Sequence, residues 1–198
     1  MKAYDISQEV FSCKVYPGDP APSKQTLSSI EKGDLYNLTS FSMCAHNGTH
    51  VDAPYHFFEN GRSIDELDIN SFVGPAYVAS HAGDILKDDI IKIVNNARAI
   101  DNDCAKRILI RGNAVLTNDA ADALVKMNVL LFGNESQTVG PEDAPMTVHK
   151  ILLGANIVLL EGLRLDNVCD GAYLLCAAPL SLSGSDGAPC RAILIDTK

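Results

Sequence analysis

His46-Asn47-Gly48-Thr49-His50-Val51-Asp52-Ala53-Pro54-Tyr55-His56 places three of the chain's five histidines and an aspartate within one short stretch. A helix would set His46 and His50 one turn apart, but Gly48, the β-branched Thr49 and Val51, and Pro54 all oppose one. The stretch reads as strand and loop. On a strand, His50 and Asp52 share a face about 6.6 Å apart, close enough for imidazole and carboxylate to meet at one ion. A straight strand would hold His46 about 13 Å from His50, so convergence requires the chain to curl at Asn47-Gly48. Imidazole nitrogen and carboxylate oxygen suit Zn and also Mn or Fe, and three protein ligands with an open position is the arrangement that activates water. A lone histidine is more often a satisfied structural residue; the clustering is what points to metal or catalytic chemistry.

Outward from this segment the pattern alternates helix with strand. Upstream, Tyr16-Pro17-Gly18-Asp19-Pro20-Ala21-Pro22 concentrates prolines around a glycine, which prevents regular structure and sets a stiff, extended loop. The N-terminal third therefore reads as irregular, with a weakly alternating strand over residues 35 to 45 running into the histidines. Downstream, Ile90, Ile91, Ile93 and Val94 sit at helical spacing within Asp88 to Ala97, whereas Arg107 to Gly112 is a short apolar run closed by glycine. Asn118 to Met127 predicts an amphipathic helix capped by Asn118 or Thr117, followed by the apolar run Val129 to Phe132. Thr147 to Leu153 predicts another helix, and Asn156 to Leu160 a buried strand leading to Glu161. Gly171 to Ala178 and Arg191 to Ile195 predict the last strands.

At 198 residues the chain suits one domain over 1–198, and a chain of this size can bury roughly 70% of the surface it exposes unfolded. With 46% hydrophobic and 21% charged residues it reads as an ordinary globular protein, neither disordered nor embedded in lipid. No stretch approaches about 20 uncharged apolar residues, and Met1 to Ile6 offers no signal-peptide core. No membrane partner is expected, and the expected location is the cytoplasm. Six cysteines without a C-x-x-C pair argue against a zinc ribbon or a redox motif. A formal charge of -9 makes phosphate backbones poor partners, so a small-molecule substrate is expected and no nucleic acid.

The pattern H-x-G-T-H-x-D-x-P-x-H, present at every fixed position from His46 to His56, resembles the signature of the cyclase-family hydrolases, the group that contains bacterial metal-dependent kynurenine formamidase and isatin hydrolase. The similarity takes in Tyr16 to Pro20 upstream, then Asp65-Glu66-Leu67 and Phe72 to Pro75. It resumes at His149, Leu152 to Ala155 and Val158 to Leu163, and ends with Gly184-Ser185-Asp186-Gly187-Ala188-Pro189-Cys190-Arg191-Ala192. The resemblance implies His46, His50 and Asp52 as ligands of one divalent ion, with Asp52 able to bridge to a second held by His149 and Glu161. Zinc is the first expectation for the metal and manganese the second, with one or two ions. His56 becomes the proton-transfer residue, and the implied reaction is hydrolysis of a C–N bond in an amide, formamide or lactam.

For the fold, the residue pattern supports mixed β structure with peripheral helices. The resemblance implies an α/β (α+β) chain of the swivelling β/β/α type, built around a barrel-like mixed sheet. It also implies a homodimer or higher homo-oligomer, with the N-terminal proline loop covering a neighbour's site. Glu161 by itself is a carboxylate ending an apolar strand, where burial without a partner is costly. A metal resolves that cost; a buried salt bridge for Glu161 and a helix-surface position for His149 are the alternatives. Family members often carry an acidic residue in a Gly-Thr-Asp-like turn, whereas this chain reads Gly133-Asn134-Glu135-Ser136-Gln137. Lacking tryptophan, the chain must build any aromatic pocket from Tyr16, Tyr55, Phe57 or Phe58, and Tyr16 is the candidate substrate contact.

Three rival readings share these residues. Cys44 lies two positions before His46, but adjacency in sequence does not aim a base at its thiolate. The same ligands, with a substrate posed differently, serve metal-assisted ring closure or dehydration. A non-catalytic metal-binding relative is the third, and the intact His56 stands against it, because a closed structural site gains nothing from a further histidine.

Overall fold

The structure is a computed structural model describing residues 1–196. Its strands in chain order are β1 (Lys2–Asp5), β2 (Ser23–Ser28), β3 (Leu38–Ser42), β4 (His50–Asp52), β5 (Val73–Ser80) and β6 (Gly83–Ile85). Helix α1 (Lys87–Ile100), β7 (Arg107–Arg111), β8 (Ala114–Leu116), α2 (Asn118–Lys126), β9 (Leu131–Asn134), α3 (Met146–Gly154) and β10 (Val158–Glu161) follow. The chain closes with β11 (Gly171–Cys176), β12 (Gly187–Pro189) and β13 (Ile193–Asp196). One curled sheet takes nine of these strands in the order β1-β13-β11-β5-β7-β9-β10-β4-β12. Its centre, β5-β7-β9-β10, is parallel, and its flanks are antiparallel.

The parallel centre follows from the alternation of helix and strand in the sequence. Each helix carries the chain from one parallel strand to the next, α1 from β5 to β7, α2 from β7 to β9 and α3 from β9 to β10. In α1, Ile90, Ile93, Val94 and Ala97 form the buried stripe. In α2 the cap is Thr117, whose hydroxyl accepts the Ala120 N–H. Both α2 and α3 end on an asparagine in the left-handed region, Asn128 (φ 58°) and Asn156 (φ 60°), which turns the chain directly into β9 and β10.

Period-two alternation divides the apolar strand residues between two cores. Ile108, Ile110, Phe132 and Leu159 pack under the helices. Leu109, Leu131, Val158 and Leu160 point the other way together with Val78 of β5, against Val51, Leu175 and Leu194 from the antiparallel flanks. The central strands are buried on both faces and so read as unbroken apolar runs.

The structure departs from the sequence expectation in the N-terminal third. Strand β1 pairs with β13, and β2 pairs with β3 as a separate hairpin. The strand expected over residues 35 to 45 is β3 alone; it does not run into the histidines, because Cys44 to Gly48 turn before β4 starts. Lys2–Asp5, Ser23–Ser28, Val73–Ser80 and Gly187–Pro189 lack the apolar runs or clean alternation that mark a strand, and pairing partners far away in sequence decide them. Among the described residues no helix is long and apolar enough to cross a membrane.

Candidate metal centre

Strand β4 carries the first two site residues, and its register decides what they meet. Val51 points into the antiparallel-side core, so His50 and Asp52 point toward the helices. The antiparallel pairing with β10 sets Glu161 directly opposite His50 and Leu159 opposite Asp52. Directly opposed residues share a face, so the Glu161 carboxylate joins His50 and Asp52. Helix α3 covers that face and buries Val148, His149, Leu152 and Leu153, which brings the His149 ring onto the carboxylates from above. His149 therefore lies on the buried stripe of the helix, not at the helix-surface position that was the alternative to a ligand role. Glu161 meets imidazoles, not a lysine or arginine.

His46 arrives by the curl at Gly48, whose φ of 69° lies in the left-handed region. Its Nδ1 lies 2.9 Å from Asp52 Oδ1, and its Nε2 lies 2.9 Å from Asp186 Oδ2. Strand β12 makes room for it: a Cβ on Gly187 would sit 2.8 Å from His46 Cε1 and 2.7 Å from the Val51 carbonyl oxygen. His50 Nε2 lies 3.3 Å from Asp52 Oδ1 and 3.4 Å from Glu161 Oε2. His149 Nε2 lies 3.1 Å from Glu161 Oε1 and 3.6 Å from Asp52 Oδ2.

The far side of each ring is committed. His50 Nδ1 donates to the Gly48 carbonyl at 3.0 Å, and His149 Nδ1 donates to the Pro145 carbonyl at 2.8 Å. With the proton fixed there, each Nε2 turns its lone pair toward carboxylate oxygens, an arrangement that needs a cation between them. Either a second proton or a metal ion supplies it. In the metal-free protein the proton does. Burial pulls the three imidazoles down, but hydrogen bonds and charge from the carboxylates outweigh it, leaving His46 at about 11 and His50 and His149 at about 9. Burial likewise raises Asp52, and His46 and His50 more than offset it, holding Asp52 well below the usual carboxylate range. The donor set fits a divalent ion. His46, His50 and Asp52 form one triplet and Asp52, His149 and Glu161 another, with the ligand atoms of each within 4.8 Å of one another.

A polar knot supports the site from behind. The Gly48 carbonyl that receives His50 also receives Gln137 Nε2 at 3.1 Å, and Gln137 Oε1 accepts Gln8 Nε2 at 2.5 Å. Gln8 Nε2 and Thr49 Oγ1 both donate to the Gly162 carbonyl, directly after Glu161. Val139 N–H donates to Glu161 Oε1 at 2.8 Å.

His56 stands beside this cluster. Its ring lies over His46 with centroids 4.2 Å apart, and its Nδ1 is 3.1 Å from Asp186 Oδ2. A cavity of about 200 Å³ opens onto the cluster, walled by Tyr16 and Phe57 and reached by Asp19 and Thr138. Tyr16 donates its hydroxyl to the Glu142 carbonyl at 3.3 Å, which holds the ring in place. The proline loop thus lines its own chain's cavity through Tyr16 and Asp19. Tyr55 is exposed, and Phe58 lines a neighbouring hollow instead. Cys44 Sγ meets Asp19 Oδ2 at 4.0 Å and no imidazole, which leaves a nucleophilic thiol without its base. Asp186, Asp19 and Thr138 are the residues that sequence reasoning did not assign. Asp186 sits inside the quoted Gly184 to Ala192 stretch, yet nothing local shows that it faces two histidines more than a hundred residues away.

With this geometry in place the relatives are informative. The Cyclase family model matches residues 4–141. The chain belongs to the Cyclase family. The kynurenine formamidase of Bacillus cytotoxicus is 34% identical over 96% of this chain and 95% of its own length. A solved structure described as a potential metal-dependent hydrolase with cyclase activity is 28% identical, with a TM-score of 0.82 over 100% of this chain and 98% of that one. Isatin hydrolase A from Labrenzia aggregata shares the fold at 21% identity, with a TM-score of 0.81 over 100% of this chain and 94% of that one. The Cyclase fold accounts for the curled mixed sheet with helices on one face, the swivelling β/β/α architecture expected from the signature.

Proposed function

We propose that this protein is a metal-dependent hydrolase of a C–N bond in an amide, formamide or lactam, with aryl formamides as the best substrates. The observation that carries the reading is the pair of buried carboxylates, Asp52 and Glu161, set by strand register beside His46 and between two imidazoles, His50 and His149, whose other nitrogens are committed to backbone carbonyls. His46, His50 and Asp52 hold one ion, and Asp52, His149 and Glu161 hold a second. Zinc is the preferred metal and manganese the alternative. Bound there, a divalent ion supplies a water acidified toward neutral pH and polarises the carbonyl.

The chain's own residues supply the rest. His56 donates its Nδ1 proton to Asp186, which leaves Nε2 free to take a proton and return it to the leaving nitrogen. Tyr16 and Phe57 supply aromatic lining to the cavity, which suits an aryl group. Packing of α3, Phe57 and the proline loop around the cluster limits bulk water. The curated relatives named kynurenine formamidase, similar over nearly their whole length, favour the same substrate class.

We place the enzyme in the cytoplasm as a homodimer. The β2–β3 hairpin exposes Leu27, Leu38 and Phe41, with Leu35 at its tip 95% exposed. A two-stranded hairpin of this kind is marginal in water unless something covers it; a second copy of the chain does so. Light scattering that reports a monomer at micromolar concentration removes the dimer. For the activity, protein stripped of metal and refilled separately with Zn and Mn is assayed on formanilide and N-formylkynurenine. Turnover restored by one metal is the expected result; no turnover with metal bound rejects aryl formamides as the substrates and points to another amide, a lactam or a ring-closure substrate.

A further inference from the structure

Resting on that hydrolase reading, we infer that the cavity selects by charge: it takes an aryl formamide bearing an ammonium group and disfavours one bearing a carboxylate, with Asp19 as the selecting residue and Thr138 as a neutral polar contact. Asp19 lines the same cavity as the histidine cluster. The turn that presents it is built by Gly18 at φ 100° and closed by the Asp19 N–H donating to the Tyr16 carbonyl at 3.1 Å. Among the described residues its carboxylate meets only the Cys44 thiol, at 4.0 Å, so it is an anion without a cation. No lysine or arginine among the described residues lines the cavity. Lys14, just before this loop, pairs with Glu142 at 3.4 Å and does not line the cavity.

The charges deeper in balance one another. Two divalent ions, once bound, would offset Asp52, Glu161, Asp186 and the charge of a deprotonated water, whereas Asp19 lines the cavity with no cation opposite. A substrate carboxylate entering here finds no guanidinium or ammonium to receive it and one carboxylate to repel it. An ammonium finds the reverse.

Thr138 gives an independent sign that a polar ligand belongs in this cavity. It is 4% exposed, lines the cavity, and its Oγ1 has no hydrogen-bond partner. A buried hydroxyl left unpaired is costly, and a bound polar group removes that cost. Its backbone is held, with the carbonyl accepting Asn134 Nδ2 at 3.3 Å, so the hydroxyl stays near the cavity. Gln137 beside it is unavailable, because both ends of its amide serve the knot behind His50.

The test compares N-formylkynurenine with its decarboxylated analogue, which keeps the ring, formamide and ammonium and loses only the carboxylate. In metal-loaded enzyme the analogue is expected to show a kcat/KM about 5-fold higher or more, the size of one partly exposed charge contact. Asp19→Asn should bring the ratio toward one, whereas Thr138→Val should lower both values and keep the ratio. Equal or reversed preference in the native enzyme, or a ratio unchanged in Asp19→Asn, overturns the inference. Binding of the two deformylated amines, followed by their own fluorescence, separates this from the hydrolase reading. Tighter binding of the decarboxylated amine without turnover of either formamide rejects the reaction and keeps the charge selection; equal binding rejects the selection whatever the turnover.

Discussion

Loading metal into stripped protein at pH 7 should release protons in a number set by the site. In the metal-free protein the histidines at about 9, 9 and 11 are all imidazolium at pH 7, paired with the site's carboxylates. A ligand nitrogen must be deprotonated, so filling the His46-His50-Asp52 triplet displaces two protons and filling the second triplet displaces one more, from His149. Titration calorimetry in buffers of different ionisation enthalpy reads this number as a slope. The apparent affinity for the first ion should rise about 100-fold per pH unit below pH 9. Stability should move in opposite directions in the two forms. A raised histidine pKa contributes stability that is complete below the unfolded value of 6.5 and lost as pH rises through about 9, so the stripped protein melts lower at pH 9 than at pH 6. The loaded protein instead loses stability as pH falls, because protons compete for the same nitrogens. A release near zero, with melting temperatures that move together, would falsify the picture of imidazolium–carboxylate pairs that a metal replaces.

Other substitutions test separate parts of the structure. Gly187→Ala places a Cβ against His46 Cε1 and the Val51 carbonyl, so metal affinity should drop about 10-fold or more by equilibrium dialysis while the fold persists. His56→Ala should retain its metal, measured by elemental analysis, and lose about 10²–10⁴-fold in kcat; metal loss instead would make His56 a ligand. Gly162→Ala combines a φ of 70° with a Cβ 2.4 Å from the Gly48 carbonyl oxygen, and urea unfolding should show roughly 2–4 kcal/mol of lost stability. An unchanged midpoint would show that the knot behind His50 yields easily.

The layout has a consequence for how the site tolerates change. The carboxylates sit on strands whose opposite faces lie in the antiparallel-side core, through Val51 and Leu160, while His149 rides on a helix anchored in the other core. The centre therefore joins the two cores, and metal binding should couple their unfolding into one transition. By contrast, the β2–β3 hairpin has few tertiary partners and should exchange its amide hydrogens fastest.

What the sequence determined by itself was whatever depends on neighbours a few residues apart. His50 and Asp52 share a face because strand side chains repeat every two residues, and Gly48 with Pro54 excludes the helix that would separate them. The helix stripe of Ile90, Ile93, Val94 and Ala97 and the doubly buried runs of β7 and β10 are likewise local patterns. Tertiary structure decided which distant residues complete the site. Glu161 faces His50 only through the β10–β4 register, and one step of slip would turn it into the opposite core. Asp186, Asp19 and Thr138 reach the cluster or its cavity from three separate loops, and no periodicity in one segment encodes an approach to another. The N-terminal strands were illegible for the same reason, because β1 and β2 exist by virtue of β13 and β3, not of any pattern of their own.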